Sequence, residues 1–151
     1  MYKNILIAIP IGERGNDIFE AGLKLAKQNN ARITLCHILS LQYIAPTYVN
    51  ASVYMPQSVL YVNDRAEMEK LLNNYKKKAS DAGINHIETV ITASSTPSLA
   101  ITEVVAPGYS CDLIVCGCSE KKGLMKFLGS TAAEITKSAH CDVWVVKNKN
   151  E

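Results

Sequence analysis

The chain has 151 residues, 48% hydrophobic and 20% charged, with a formal net charge of +2. That length suits a single domain over 1–151 with a substantial core, and so small a charge excess leaves no footprint for nucleic acid: the run Lys76-Lys77-Lys78 reads as a solvated helix face. No apolar stretch approaches the length needed to cross a bilayer, and the start MYKNILIAIP has no signal-peptide cleavage pattern, so the expectation is a cytoplasmic protein with neither membrane nor nucleic acid as partner.

In chain order, Asn4–Ile9 is an apolar run of the kind a strand buried on both faces requires. Pro10-Ile11-Gly12-Glu13-Arg14-Gly15 is the loop after it. Asn16 or Asp17 is placed to cap a helix with Ile18, Gly22, Leu25 and Ala26 on one face, ending at Asn29-Asn30. Arg32–Leu39 is the second strand, so the opening is a βαβ unit with parallel strands and a right-handed crossover.

Residues 40–63 interrupt this rhythm. They hold Pro46, Pro56 and four of the seven tyrosines, Tyr43, Tyr48, Tyr54 and Tyr61, and read as a long Tyr-rich insertion loop. A connection this long is usually functional: a flap over the strand ends, or a surface between subunits. Asp64–Ala82 is the clearest helix, with Met68, Leu71, Leu72, Tyr75, Ala79 and Ala82 in one stripe, a cap from Asp64 and Glu67, and a stop at Gly83. His86–Thr92 alternates more than the other strands, so either one of its sides faces solvent or it lies at a sheet edge.

Thr96-Pro97 then opens a helix that runs to Pro107-Gly108. Asp112–Cys116 is a strand closed by Gly117, and Thr131–Ala139 has helical spacing, with Thr131 and Glu134 in a capping-box pattern. Asp142–Val146 is the last strand, followed by a polar tail. Five strands alternating with four helices predict an α/β fold: one doubly wound five-stranded parallel sheet, flavodoxin- or Rossmann-like, with helices on both faces. In such sheets ligands bind beyond the carboxyl ends of the strands.

The five cysteines, Cys36, Cys111, Cys116, Cys118 and Cys141, form no C-x-x-C, and Cys116-x-Cys118 has no second pair to complete a four-ligand metal set. No metal site is expected. His37, His86 and His140 stand apart in sequence and are assigned structural roles. Gly129-Ser130-Thr131 stands where the last helix begins. A helix start presents unpaired N–H groups and partial positive charge, and a glycine lets an anion come close. Two readings stand: the segment only caps the helix, or it binds phosphate, aided by Lys121, Lys122 and Lys126.

Gly117 and Gly129-Ser130 match the pattern G-x2-G-x9-G-[S/T], and with them nearly the whole chain resembles the universal stress protein family. The second glycine of that pattern is Glu120 here, and the loop is one residue shorter. A branch with that shorter loop, reading L-L-G-S-N-A-A near the helix start, resembles the segment Leu128-Gly129-Ser130 more closely. The resemblance implies strand order 3-2-1-4-5. It also implies a stress-response regulatory protein that binds ATP, with or without Mg²⁺, and turns it over slowly or not at all. Ala8, Ile9 and Pro10 would lie by the adenosine, Ile38 by adenine, and Cys116 and Gly117 by the ribose. Gly129, Ser130 and Thr131 would hold the phosphates. Pro10 stands where binding members often have an aspartate. Family members pair through the last strand, which implies a homodimer through 142–147. The alternative is a dimeric stress-response interaction module without nucleotide. There is no G-x-x-x-x-G-K-[S/T], no G-x-G-x-x-G and no nucleophile elbow, so no catalytic residue is assigned and at most weak ATPase activity is expected.

Overall fold

The computed structural model describes residues 1–41, 48–49, 53–54, 58–118 and 129–147. Its elements are β1 (Asn4–Ala8), α1 (Gly15–Asn29), β2 (Arg32–Ser40), β3 (Tyr48–Val49), β4 (Val53–Tyr54), α2 (Ser58–Asp81) and β5 (Ile87–Ser94), followed by α3, β6 (Leu113–Gly117), α4 (Ser130–Ser138) and β7 (Asp142–Val146). Helix α3 spans 97–108 in three stretches, Pro97–Leu99, a π-helical Ala100–Val105, and Ala106–Gly108. The main sheet runs β5-β2-β1-β6-β7 with every neighbouring pair parallel. Counted along the chain, that is the expected order 3-2-1-4-5. Strands β3 and β4 form a separate antiparallel pair.

Alternation within the strands builds two cores. Ile5 and Ile7 of β1 and Leu113 and Val115 of β6 face α1 and α2, packing on Ile18, Phe19, Leu23, Leu72 and Tyr75. Leu6, Ile114 and Cys116 face the other way, onto Ile101, Val105, Ala132 and Ile135 of α3 and α4. This is why β1 and β6 read as unbroken apolar runs: each alternate side chain has its own helix layer to enter. No residue of the outermost β5 is fully buried, which agrees with the reading of an edge strand. Among the described residues no helix is long and apolar enough to cross a membrane.

Helix ends follow one chemistry. Asn30, Gly83 and Ser110 all have positive φ. At Gly83, for instance, Gly83 N–H donates to Ser80 O at 3.0 Å and Ile84 N–H to Ala79 O at 3.1 Å, the paired bonds of a Schellman stop. Asn30 and Ser110 close α1 and α3 with the same pair of bonds. The wide π turn of α3 lies just before Pro107, whose ring would press on the carbonyl one α-turn back.

Helix starts differ from expectation. Helix α1 begins at Gly15 with Arg14 as N-cap and no side-chain cap bond, not with Asn16 or Asp17. Helix α2 begins at Ser58, so Asp64 and Glu67 lie inside it and the insertion loop is shorter than 40–63. Once nucleated, a helix extends at little cost, so it runs back almost to Pro56. Helix α4 is capped by Gly129 with no side-chain bond, so Thr131 and Glu134 form no capping box. The flap or interface reading of the Tyr-rich loop rests on residues largely outside those described.

Burial acts on the thiols as expected for small apolar side chains. It pushes Cys36 up to about 12, and Cys111 and Cys116 up to about 11. A thiol that stays protonated when folded but ionises once exposed makes the unfolded state release protons. Stability from these groups is therefore complete below pH 9 and is lost as pH rises toward 11–12. Denaturant midpoints measured across pH 8–11 are expected to fall steadily above pH 9, and replacing Cys36 by alanine is expected to flatten that slope.

Candidate functional site

A cavity of about 400 Å³ opens at the carboxyl ends of β1, β2 and β6. This is where strand order reverses: the chain leaves β1 toward β2 on one side, and β6 flanks β1 on the other. The expected residues Ala8, Ile9, Pro10, Ile38, Cys116, Gly117 and Thr131 all line it. Gly129 and Ser130 do not line it: Gly129 caps α4 and Ser130 is exposed in its first turn. Glu120, Lys121, Lys122 and Lys126 lie outside the described residues.

Local structure sets each wall. Ile9 N–H donates to Cys36 O at 2.8 Å, which carries the β1–β2 ladder past the end of β1 and holds Ile9 and Pro10 at the mouth. Gly12 then turns the chain with φ +103, a conformation that suits glycine. Gly117 ends β6 against α1: a Cβ there would stand 2.5 Å from Ile18 Cδ1 and 3.9 Å from Arg14 Cζ. A larger residue at 117 would push the Ile18 side chain aside. From the other layer, Pro97 and Ile101 of α3 and Thr131 and Ile135 of α4 complete the walls.

Two buried polar side chains stand in these walls, His37, which was assigned a structural role, and Arg14, which the sequence reading did not single out. His37 is buried in β2, and its Nδ1 lies 2.7 Å from Ile9 O. A carbonyl can only accept, so Nδ1 carries the proton, and the imidazole braces the end of β1. Its signal in the sequence was its place inside an otherwise apolar strand. Arg14 is the other. It is only 8% exposed, although it stands in a polar loop that reads as solvated. One terminal nitrogen donates to Cys118 O and the other to Val146 O at 3.2 Å, tying the start of α1 to the ends of β6 and β7. No local pattern marks it. Glu13, its neighbour, is exposed at the cavity rim.

The cavity thus has apolar walls from Ile9, Pro10, Ile38 and Ile101, a glycine-lined side, and a helix start carrying Thr131. Apolar walls of this kind suit a flat apolar ring, and a helix start suits an anion. The profile of the universal stress protein family matches residues 1–147. The chain belongs to that family. A curated relative from Staphylococcus haemolyticus, named among the universal stress proteins, is 33% identical over 149 residues, spanning 98% of this chain and 86% of its own length. The universal stress protein UspA of Lactobacillus plantarum shares the fold at TM-score 0.76 and 19% identity, over 96% of this chain and 97% of its own. A universal stress protein from Archaeoglobus fulgidus, solved in complex with dAMP, has TM-score 0.67 and 16% identity, over 97% of this chain and 98% of its own. The universal stress protein fold therefore accounts for the sheet and for the position of the cavity at its switch point.

Proposed function

We propose that this universal stress protein binds ATP in the switch-point cavity, as a cytoplasmic regulatory protein of the stress response with slow or no turnover. One observation carries the reading. Four separate segments of the chain, each picked out as nucleotide-facing, meet around one cavity: Ala8–Ile9–Pro10, Ile38, Cys116–Gly117 and Thr131. In this reading the purine lies against Ile9, Pro10 and Ile38, the ribose beside Cys116 and Gly117, and the phosphates reach the amides of Gly129, Ser130 and Thr131. Mg²⁺, if bound with the nucleotide, would supply positive charge against the phosphates. The dAMP complex of the Archaeoglobus relative supports an adenine ligand.

Cys118, half-buried in the cavity wall, provides a footprint. Saturable binding of one ATP per chain is expected to slow iodoacetamide labelling of Cys118, with Cys36 unlabelled throughout because it is buried and protonated. No saturation and no protection would refute the reading and favour the interaction module.

The same proposal includes a homodimer through β7. That strand is at the sheet edge and exposes 40% of Trp144, and an open apolar edge tends to find a partner. Sedimentation at micromolar concentration is expected to give a dimer, and Trp144→Lys a monomer; a monomeric parent would contradict it.

A further inference from the structure

We propose that Arg14 is the cationic anchor of the cavity, the group that makes it select a phosphate-bearing ligand over the neutral nucleoside. The inference rests on the nucleotide reading above and names the residue that would recognise the charge. A guanidinium is charged at every accessible pH and has five N–H donors. Arg14 is more than nine-tenths buried. Two of its donors go to the carbonyls of Cys118 and Val146, and Nε–H is buried with no acceptor among the described residues. No carboxylate among the described residues pairs with it: the ion pair found there is His140 with Glu103. Burying a charge without a counter-charge is strongly unfavourable.

Its position deepens the imbalance. Arg14 is the N-cap of the 15-residue α1, where the helix macrodipole already supplies partial positive charge and disfavours a cation. Its Cζ lies beside Gly117, on the cavity wall, and the first turn of α4 reaches the same cavity at Thr131. Pro10 brings no carboxylate to this mouth, and Glu13 sits exposed at the rim. Among the described residues, two helix starts and one buried guanidinium therefore converge without a matching anion. A phosphate in the cavity supplies the missing counter-charge, with the unused N–H groups of Arg14 as donors. Two carbonyls alone would be met equally well by a neutral donor such as glutamine, so the permanent charge points to a ligand.

The test compares AMP, adenosine and inorganic pyrophosphate on the full chain and on Arg14→Gln and Arg14→Lys. The parent is expected to bind AMP at least 10-fold tighter than adenosine. Arg14→Gln is expected to weaken AMP by about 10–100-fold, the range for losing a charged hydrogen bond, and to leave adenosine unchanged. Arg14→Lys is expected to retain most of the preference. Equal weakening of AMP and adenosine in Arg14→Gln would make Arg14 only a brace for β6 and β7 and overturn the proposal. So would an unchanged ratio, or a parent that binds both alike. If no adenine compound binds but pyrophosphate raises the melting temperature of the parent and not of Arg14→Gln, the anchor stands and the adenine reading falls. No effect of any of the three would overturn both. Should Arg14→Gln fail to fold, the parent decides. Its arginines are Arg14, Arg32 and Arg65, so each Nε–H resonance can be assigned in an arginine-labelled sample. That of Arg14 is expected to move with AMP and not with adenosine; an equal response to both would refute the proposal.

Discussion

Phe19→Ala is expected to lower the unfolding free energy by about 3–5 kcal/mol, the usual range for deleting a buried aromatic ring. Phe19 is fully buried between α1 and the sheet, and its ring stacks on Tyr75 of α2 at 4.4 Å between centroids and 26° between planes. The change removes transfer energy, leaves a cavity and breaks a stacked pair that contributes about 0.5–1.5 kcal/mol more. A domain of this kind is stable by about 5–15 kcal/mol in all, so the variant would lose a large share. Val104→Ala is the control: Val104 is 65% exposed on α3, and its replacement is expected to move stability by less than about 0.5 kcal/mol. Urea midpoints measure both. A loss below about 1 kcal/mol at Phe19 would mean the two helices do not rely on this contact.

Thr131→Glu is expected to weaken ATP by about a thousandfold and leave the fold intact. Thr131 is exposed in the first turn of α4 and lines the cavity. A carboxylate about 4 Å from a phosphate opposes it by about 4 kcal/mol at an effective dielectric near 20, which is close to three decades of affinity. The same carboxylate in the first turn of a helix is favoured by the macrodipole by about 0.3–1 kcal/mol. The two effects therefore have opposite signs, one on binding and one on stability, and a merely damaged protein could not show both. Calorimetric titration gives the first and thermal melting the second. Unchanged ATP affinity would place the phosphates away from α4.

The elements that could be read from the chain were those whose signal is local. β7 spans Asp142–Val146 as expected, because five residues bounded by a polar loop and a lysine leave no other strand register. Of the stripe Met68, Leu71, Leu72, Tyr75, Ala79 and Ala82, all but Leu71 and Ala82 are buried, and those two are half-buried against the same core. Gly83 stops α2 through a conformation that glycine adopts freely. Helix starts were legible only in part. Thr96-Pro97 marks its helix, since proline constrains the backbone itself. Asn16, Asp17, Thr131 and Asp64 misled: their side chains can cap a helix, but the helices start instead at Gly15, Ser130 and Ser58.

The candidate site divides the same way. Ala8, Ile9, Pro10, Cys116 and Gly117 flank strand ends, so a strand assignment with the family's order brings them together. Arg14 could not be found so. Its partners Cys118 and Val146 lie more than a hundred residues away in sequence, and only the folded sheet brings their carbonyls within reach. Its burial comes from long-range contacts that no local charge pattern encodes.

The central claim is that the switch-point cavity holds an adenine nucleotide, and a crystal of the full chain grown with millimolar ATP tests it most directly. The account predicts density for a purine against Ile9, Pro10 and Ile38, with phosphate oxygens at the first turn of α4. An empty cavity under those conditions, or nucleotide bound elsewhere on the molecule, would contradict it.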